Sequence, residues 1–477
     1  MIAELREIVP VWVHGRVGRG TLLYRGVAIC IALFVAAGAF AGNVAANTRT
    51  HADIQRLIDA SIGGCAVLPP GDYEIGETIW IPSHTHLVLE GCRLRMKDGV
   101  LAQMFKNRPD ADGETRDVVI DGRGSAVLDG GEPNGLNEFT SRKNGMPHVS
   151  QNLTIEFREV ENFEIRDLAV RNQRWWAFMF LQCAHAKISK IRFFLDRHAV
   201  DSRATWRNQD GIDLRVGCHD FLIEDISGET GDDLIALTAL GGTTGRGSAN
   251  PRKSCDIRNV RIRRVHGRTN QCALIRLLAH YGQKIHHISI EDVVEDSFPG
   301  VHNHTQMAIR IGDRIAPYYG RDEKNAQKFG DISDITIDGL ATRALTAVAT
   351  DDSIRNLTVR NVRLFSDAQS VWTAGAFGIA GPVFIYAPDR EEEVRNDWLR
   401  PRGATSRKDT VRIENVVVEN VTVESRRPTR DCALFRFRKT ECVNCVVRNV
   451  QVPQDRKLVE NIDAVSVPQF ENCTEVK

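Results

Sequence analysis

Two short stretches carry residues able to do acid–base chemistry: "RNQDGIDLR", residues 207–215, and "GETGDDLIAL", residues 228–237. Each sets acidic residues beside glycine on a turn, directly ahead of an apolar strand-like run. Asp210 lies in the first stretch, Asp232 and Asp233 in the second. Asp233 follows Asp210 by 23 positions and Asp232 follows it by 22. Three carboxyls that converge on one patch repel each other and resist joint ionisation. At least one pKa then rises, and a proton donor stands beside a charged acceptor at neutral pH. Cleavage of a glycosidic bond needs that combination: one carboxylic acid protonates the leaving oxygen, and a carboxylate activates water. Two other uses stay open. Asp side chains cap turns, although capping needs no second adjacent charge, and clustered carboxylate oxygens suit a hard cation such as calcium.

The convergence depends on the elements that hold these turns. Downstream of residue 60 the chain repeats itself loosely in "FEIRDLAV", "AKISKIRFF", "FLIEDISG", "IRNVRIRRV", "IHHISIEDVV", "ISDITIDGLA", "IRNLTVRNVRL" and "VRIENVVVENVTV". Each run alternates apolar and polar residues with period two, and many carry Asn or Asp at a turn. They recur every 20 to 40 residues or so, roughly the size of a solenoid unit. No strong amphipathic helix separates them, which disfavours the α/β folds, and no blade signature marks a propeller. The pattern predicts an all-β chain, a right-handed parallel β-helix over residues 63–477 with each repeat one coil. Coils stack like neighbouring strands, roughly 4.8 Å apart, so residues about 23 positions apart can lie one above the other. Before it, Ile54, Leu57 and Ile58 share one face of "HADIQRLIDA", predicting a short cap helix within 47–62 that covers the open N-terminal end of the coil. The segments 240–254 and 387–409 read as long loops leaving the coil.

Composition bounds the function. The chain has 477 residues, 42% of them apolar, enough for a sizeable core. Its 62 basic residues equal its 62 acidic ones, so a nucleic-acid partner is not expected. In residues 1–46, Arg16, Arg19 and Arg25 precede the apolar run 26–41, which ends in small residues. This is the order of a signal peptide or an N-terminal anchor, and it predicts an exported, secreted or periplasmic bacterial protein. No later stretch is apolar enough to span a bilayer, so no stable membrane insertion is expected after cleavage. Losing Cys30 leaves ten cysteines, an even number that fits an oxidising compartment. The C-x-x-C of Cys442 and Cys445 has β-branched neighbours and reads as stacked or disulfide-bonded structural cysteines rather than a zinc knuckle.

In these same residues the chain resembles the family 28 glycoside hydrolases, the polygalacturonases and their relatives on the pectin-lyase-like β-helix. "NQDGIDL" is similar to that family's N-T-D-G-I-D motif and "GDDLIAL" to its G-D-D-x-I-A motif. "VLPPGDYEIGETIWIPSHTHLVLEG", "VIDGRGSAVLDGG" and "NQRWWAFMFLQC" add likeness outside the site, over most of residues 60–315. The resemblance implies inverting hydrolysis, with Asp232 as general acid and Asp210 and Asp233 holding and activating the water. It implies a polysaccharide substrate, pectin-like or otherwise uronate-containing, and a monomer without metal or cofactor. The closeness of the carboxyls departs from the separation usual for inverting pairs, a departure that the family itself makes.

The chain also departs from the family pattern. Where the family's supporting His would sit, the sequence reads Gln271-Cys272. Where the family has R-I-K, which binds a substrate carboxylate, Arg310 matches but Gly312 takes the Lys position. Arg276, from the coil below, is a candidate replacement, since Arg pairs bidentately with carboxylates. Arg276, Arg310, Gln271 and Trp176 are therefore the candidate substrate-binding residues, Trp176 with Trp175 as a sugar-stacking platform. A polysaccharide lyase on the same fold and a non-catalytic carbohydrate-binding β-helix remain competing readings.

Overall fold

Period-two alternation forces every second side chain of a strand to one side, and here that side is the inside of a tube. The computed structural model describes residues 49–196, 208–241, 245–270, 272–296, 305–312, 327–344, 346–350, 352–365, 410–424, 433–438, 440–454, 457–462 and 464–476. The segment 1–46, with its expected signal or anchor, lies outside them, as does the loop 387–409. Among the described residues there are one α-helix, three short 3-10 helices, no helix long and apolar enough to cross a membrane, and otherwise parallel strands. The chain is a right-handed parallel β-helix.

One sheet of nine strands runs up the side of this solenoid in strict chain order. Its members are β1 (Ile79–Ile81), β2 (Phe105–Asn107), β3 (Ile155–Arg158), β4 (Phe178–Leu181), β5 (Ile212–Leu214), β6 (Ile235–Ala239), β7 (Ala273–Ala279), β8 (Met307–Ile311) and β9 (Thr346–Thr350). The pairing from β4 upward stacks like on like: Phe178, Ile212, Ile235, Ile275, Ile309 and Val348 form one inward column. Phe180, Leu214, Leu237, Leu277 and Ile311 form a second. All of these are fully buried, so each coil presents the next with a matching apolar layer.

The longer strands carry the other sides of the coil and bend at fixed places. In Ile257–Thr269 the bends fall at Asn259 and Arg264, both with positive φ. In register above and below them lie His185, Asp220, His287, Asp334, Asn356 and Asn415 at the first corner, and Lys190, Asp225, Asp292, Asn361, Asn420 and Asn449 at the second, all in the left-handed region. Asn and Asp tolerate that conformation. In the upper coils they also join: Asn420 donates its amide to Asn361 at 3.1 Å and receives one from Asn449 at 3.1 Å.

The cap helix α1 (His51–Ala60) starts where the Asp53 carboxylate accepts the Thr50 N–H at 2.8 Å. It buries Ile54 and Ile58 against the first coils, with Leu57 partly buried. Its Gln55 bonds the backbone of Trp80 in β1 through both amide atoms, at 2.8 and 3.1 Å. The nine cysteines among the described residues are free thiols rather than disulfides. Cys183 and Cys218 stack in register inside the coil.

The corner ladder predicts a stability effect. Asn420→Ala forces alanine into a positive φ at roughly 1–2 kcal/mol and removes two amide contacts, so the denaturant midpoint should fall. Asn420→Gly should lose less, because glycine adopts that φ freely. Equal losses for both variants would mean that the amide ladder, not the backbone angle, sets the cost.

Candidate active site

The turn before β5 and the turn before β6 have the same shape because the same backbone bonds tie them. The Gly211 N–H donates to the Asp233 carbonyl at 2.9 Å, and the Ala177 N–H donates to the Asp210 carbonyl at 2.9 Å. Gly211 is needed there: a Cβ would stand 2.4 Å from the Leu234 carbonyl oxygen. The pairing of Ile212 with Ile235, extended two residues back, sets Asp233 directly over Asp210. Trp176 lies one coil below Asp210, and Ala273 one coil above Asp233. A neighbouring column holds Trp175, Gln209, Asp232 and Cys272. A third, on the outward positions of the strands, runs Met179, Asp213, Ala236, Arg276, Arg310 and Ala349.

The three acids lie at the turns ahead of β5 and β6 and are nearly covered, at 4%, 6% and 1% exposure for Asp210, Asp232 and Asp233. Asp233 is the best satisfied. Its Oδ1 accepts the Ala273 N–H at 2.9 Å, and its Oδ2 pairs with Arg276 Nη1 at 3.1 Å. Asp232 Oδ1 accepts the Asp233 N–H at 3.1 Å, and the Cys272 thiol lies within 4.8 Å of the same carboxyl. Asp210 Oδ1 meets no hydrogen-bond partner among the described residues. Burial, first, and then the charge of neighbouring carboxyls push the pKa of Asp210 and Asp232 well above the ordinary Asp value; Arg276 opposes this only in part. Asp210 and Asp232 are thereby biased toward the protonated form, while Asp233 has a guanidinium as counter-charge. A proton donor beside a charge-balanced carboxylate is what general acid–base chemistry uses.

The other sequence candidates fall as follows. Arg276 is mostly buried and aimed at Asp233 rather than at open solvent. Arg310 is buried one coil higher, directly above Arg276. Trp176 is buried, with Trp175 stacked on its ring at 3.9 Å and the Arg215 guanidinium over it at 4.9 Å. Both ring faces are thus occupied, and the indole packs the wall instead of lying open as a platform. Gln271 lies outside the described residues. Asp232, Asp233 and Cys272 place one ligand atom each within 4.8 Å of one another, a set that could hold a metal ion. The Arg276 cation on Asp233 works against a second cation there.

Sequence reasoning missed Asp213, three residues after Asp210 in the same turn. It is 1% exposed, and burial pushes its carboxyl well above the usual range against the pull of Arg215. The signal was present: Ile212 and Leu214 point inward, so the residue between them must point out beside the acids. Arg215 was also missed. It is fully buried and donates to Thr238 Oγ1 as well as covering Trp176.

Known proteins share part of this sequence pattern and the fold. Residues 111–244 match the family model described as glycosyl hydrolases family 28. No curated protein sequence matches the chain. Among solved structures, the family 28 exopolygalacturonase of Yersinia enterocolitica aligns with a TM-score of 0.50 at 15% identity, over 90% of this chain and 78% of its own. A tailspike protein variant of E. coli bacteriophage HK620, in complex with a pentasaccharide, aligns with a TM-score of 0.55 at 12% identity, over 90% of this chain and 75% of its own. At these identities the structural likeness speaks for the fold.

The acid cluster makes stability depend on pH. Between the ordinary Asp value of 3.8 and the raised values of Asp210, Asp213 and Asp232, the folded chain keeps protons that the unfolded chain releases. Their contribution to stability therefore falls as pH rises through that window. Asp210→Asn should raise the denaturation midpoint at neutral pH and change it little at about pH 3, where both states are mostly protonated. A midpoint that drops at neutral pH would show that Asp210 is held as a stabilised anion.

Proposed function

We propose that this polygalacturonase-like glycosidase is an exported hydrolase that cleaves a uronate-containing, pectin-like polysaccharide by inverting acid–base hydrolysis. That the chain is a glycosidase acting on a polysaccharide follows from the family 28 match at residues 111–244. The finer reading rests on one observation: Asp210, Asp232 and Asp233 lie on adjacent coils, two of them biased toward the protonated form and the third paired to Arg276. Export rests on the basic-then-apolar order of residues 1–46, and nothing in the reading requires more than a monomer.

In this reading Asp232 protonates the glycosidic oxygen as the bond to the leaving sugar breaks. Water attacks the anomeric carbon from the opposite side, oriented between Asp210 and Asp233, and its proton passes to a carboxylate. Arg276 gives Asp233 its counter-charge in a nearly buried ion pair. Arg310, next along the column, is the cation to meet a uronate carboxylate. The Cys272 thiol, at the place where the family resemblance puts His, is an uncharged neighbour of Asp232. A calcium-dependent lyase fits less well. Calcium takes six to eight oxygen ligands, and the donor set here includes a thiol and already carries a guanidinium.

The acid is open to direct test. Asp232→Asn keeps the shape of the side chain but has no proton to give the leaving oxygen. On polygalacturonate, kcat should fall by about 10²- to 10⁴-fold. Binding should persist, since the amide relieves like-charge repulsion. An aryl galacturonide, whose leaving group needs no protonation, should be hurt far less. An unchanged kcat on the polymer would place the acid elsewhere.

A further inference from the structure

Buried polar atoms in folded proteins are almost always hydrogen-bonded, because a desolvated donor or acceptor without a partner costs stability. Asp213 breaks this rule twice over: both carboxyl oxygens are buried, and neither meets a hydrogen-bond partner among the described residues. Its position is dictated by β5, where the inward Ile212 and Leu214 leave it no choice but the outer face. In its own column Met179 lies below and Ala236 above. A thioether and a single methyl group offer it no strong hydrogen bond.

The same coil holds other acceptors in the same condition. Asp210 Oδ1 and Gln209 Oε1 are also buried without a partner. Two coils above Asp213 the column changes character, to the guanidiniums of Arg276 and then Arg310. The outer face therefore has a direction. Around Asp213 it presents acceptors, and toward Arg310 it presents cations. A sugar unit brings many hydroxyl groups that can pair with these buried oxygens, whereas a uronate carboxylate finds its guanidinium at the other end.

We propose that Asp213 is a substrate-binding and specificity-determining carboxyl, which with Gln209 takes the hydroxyl groups of the sugar unit lying on the Asp210 side of the scissile bond. Carboxyl recognition falls to the opposite end, so the two ends together fix the direction in which the polysaccharide lies across the acids. This inference rests on the hydrolase reading above and deepens it by assigning a subsite. It also explains why the fold tolerates Asp213: the partners that satisfy it arrive with the substrate.

The experiment uses the full chain carrying Asp232→Asn, so that binding is read without turnover, with tetragalacturonate as the ligand in isothermal titration. Adding Asp213→Ala should weaken binding by about tenfold, the scale of one or two lost hydrogen bonds. Adding Asp213→Asn, which keeps one acceptor, should weaken it less. Neither change should lower the melting temperature, whereas a purely structural carboxyl would. Unchanged affinity in Asp213→Ala, or a lowered melting temperature with affinity intact, overturns the subsite while leaving Asp232 as the acid. Full activity of the Asp232→Asn single variant would instead overturn the hydrolase reading. Failure of that variant to bind tetragalacturonate would overturn the uronate substrate and this subsite together.

Discussion

The backbone ladder between successive coils governs everything else in this molecule. It fixes neighbouring coils at one strand spacing, roughly 4.8 Å, and it carries each side chain directly over its equivalent. Inside, this produces continuous columns such as Phe178, Ile212, Ile235, Ile275 and Ile309. Outside, the same constraint brings Asp233 over Asp210, whatever their charges prefer. The apolar interior thus holds acids together that water would keep apart.

This stacking creates an electrostatic problem that is solved locally. A group of carboxyls under near-complete burial cannot all ionise. Asp210, Asp213 and Asp232 shift toward the neutral form, while Asp233 receives the Arg276 guanidinium and the Ala273 N–H. Because Arg276 sits one coil above β6, the counter-charge on Asp233 arrives along the axis of the solenoid, from the next strand in the stack. The fold alone hosts many functions, so the proposed function rests on this arrangement of acids.

Much of this was legible in the sequence. The alternation in runs such as "IRNVRIRRV" identified the coil, and the likeness of Asp-Gly-Ile to Asp-Leu-Ile, 23 positions on, identified which residues would stack. The single cap helix could be read from Ile54, Leu57 and Ile58. The failures share a cause: a side chain's partners come from other coils, at sequence separations that loop lengths make irregular. Arg276 looked like a substrate ligand because its link to Asp233 spans 43 positions. Trp176 looked like a platform because its cover, Trp175 and Arg215, belongs to two coils. Asp213 escapes notice because one acid in a turn looks ordinary until its surroundings are found to offer no partner. Corner positions held by Lys190 and Arg264 in the left-handed region were likewise hidden, since neither residue announces that conformation.

The central claim is that these acids hydrolyse a uronate polysaccharide. The most direct measurement follows polygalacturonate incubated with the purified protein, recording new reducing ends and ultraviolet absorbance together, with and without a chelator. Acid–base hydrolysis predicts reducing ends at a rate the chelator does not change, and no rise in absorbance. An absorbance increase that the chelator abolishes would signal elimination at a metal site, and would contradict it.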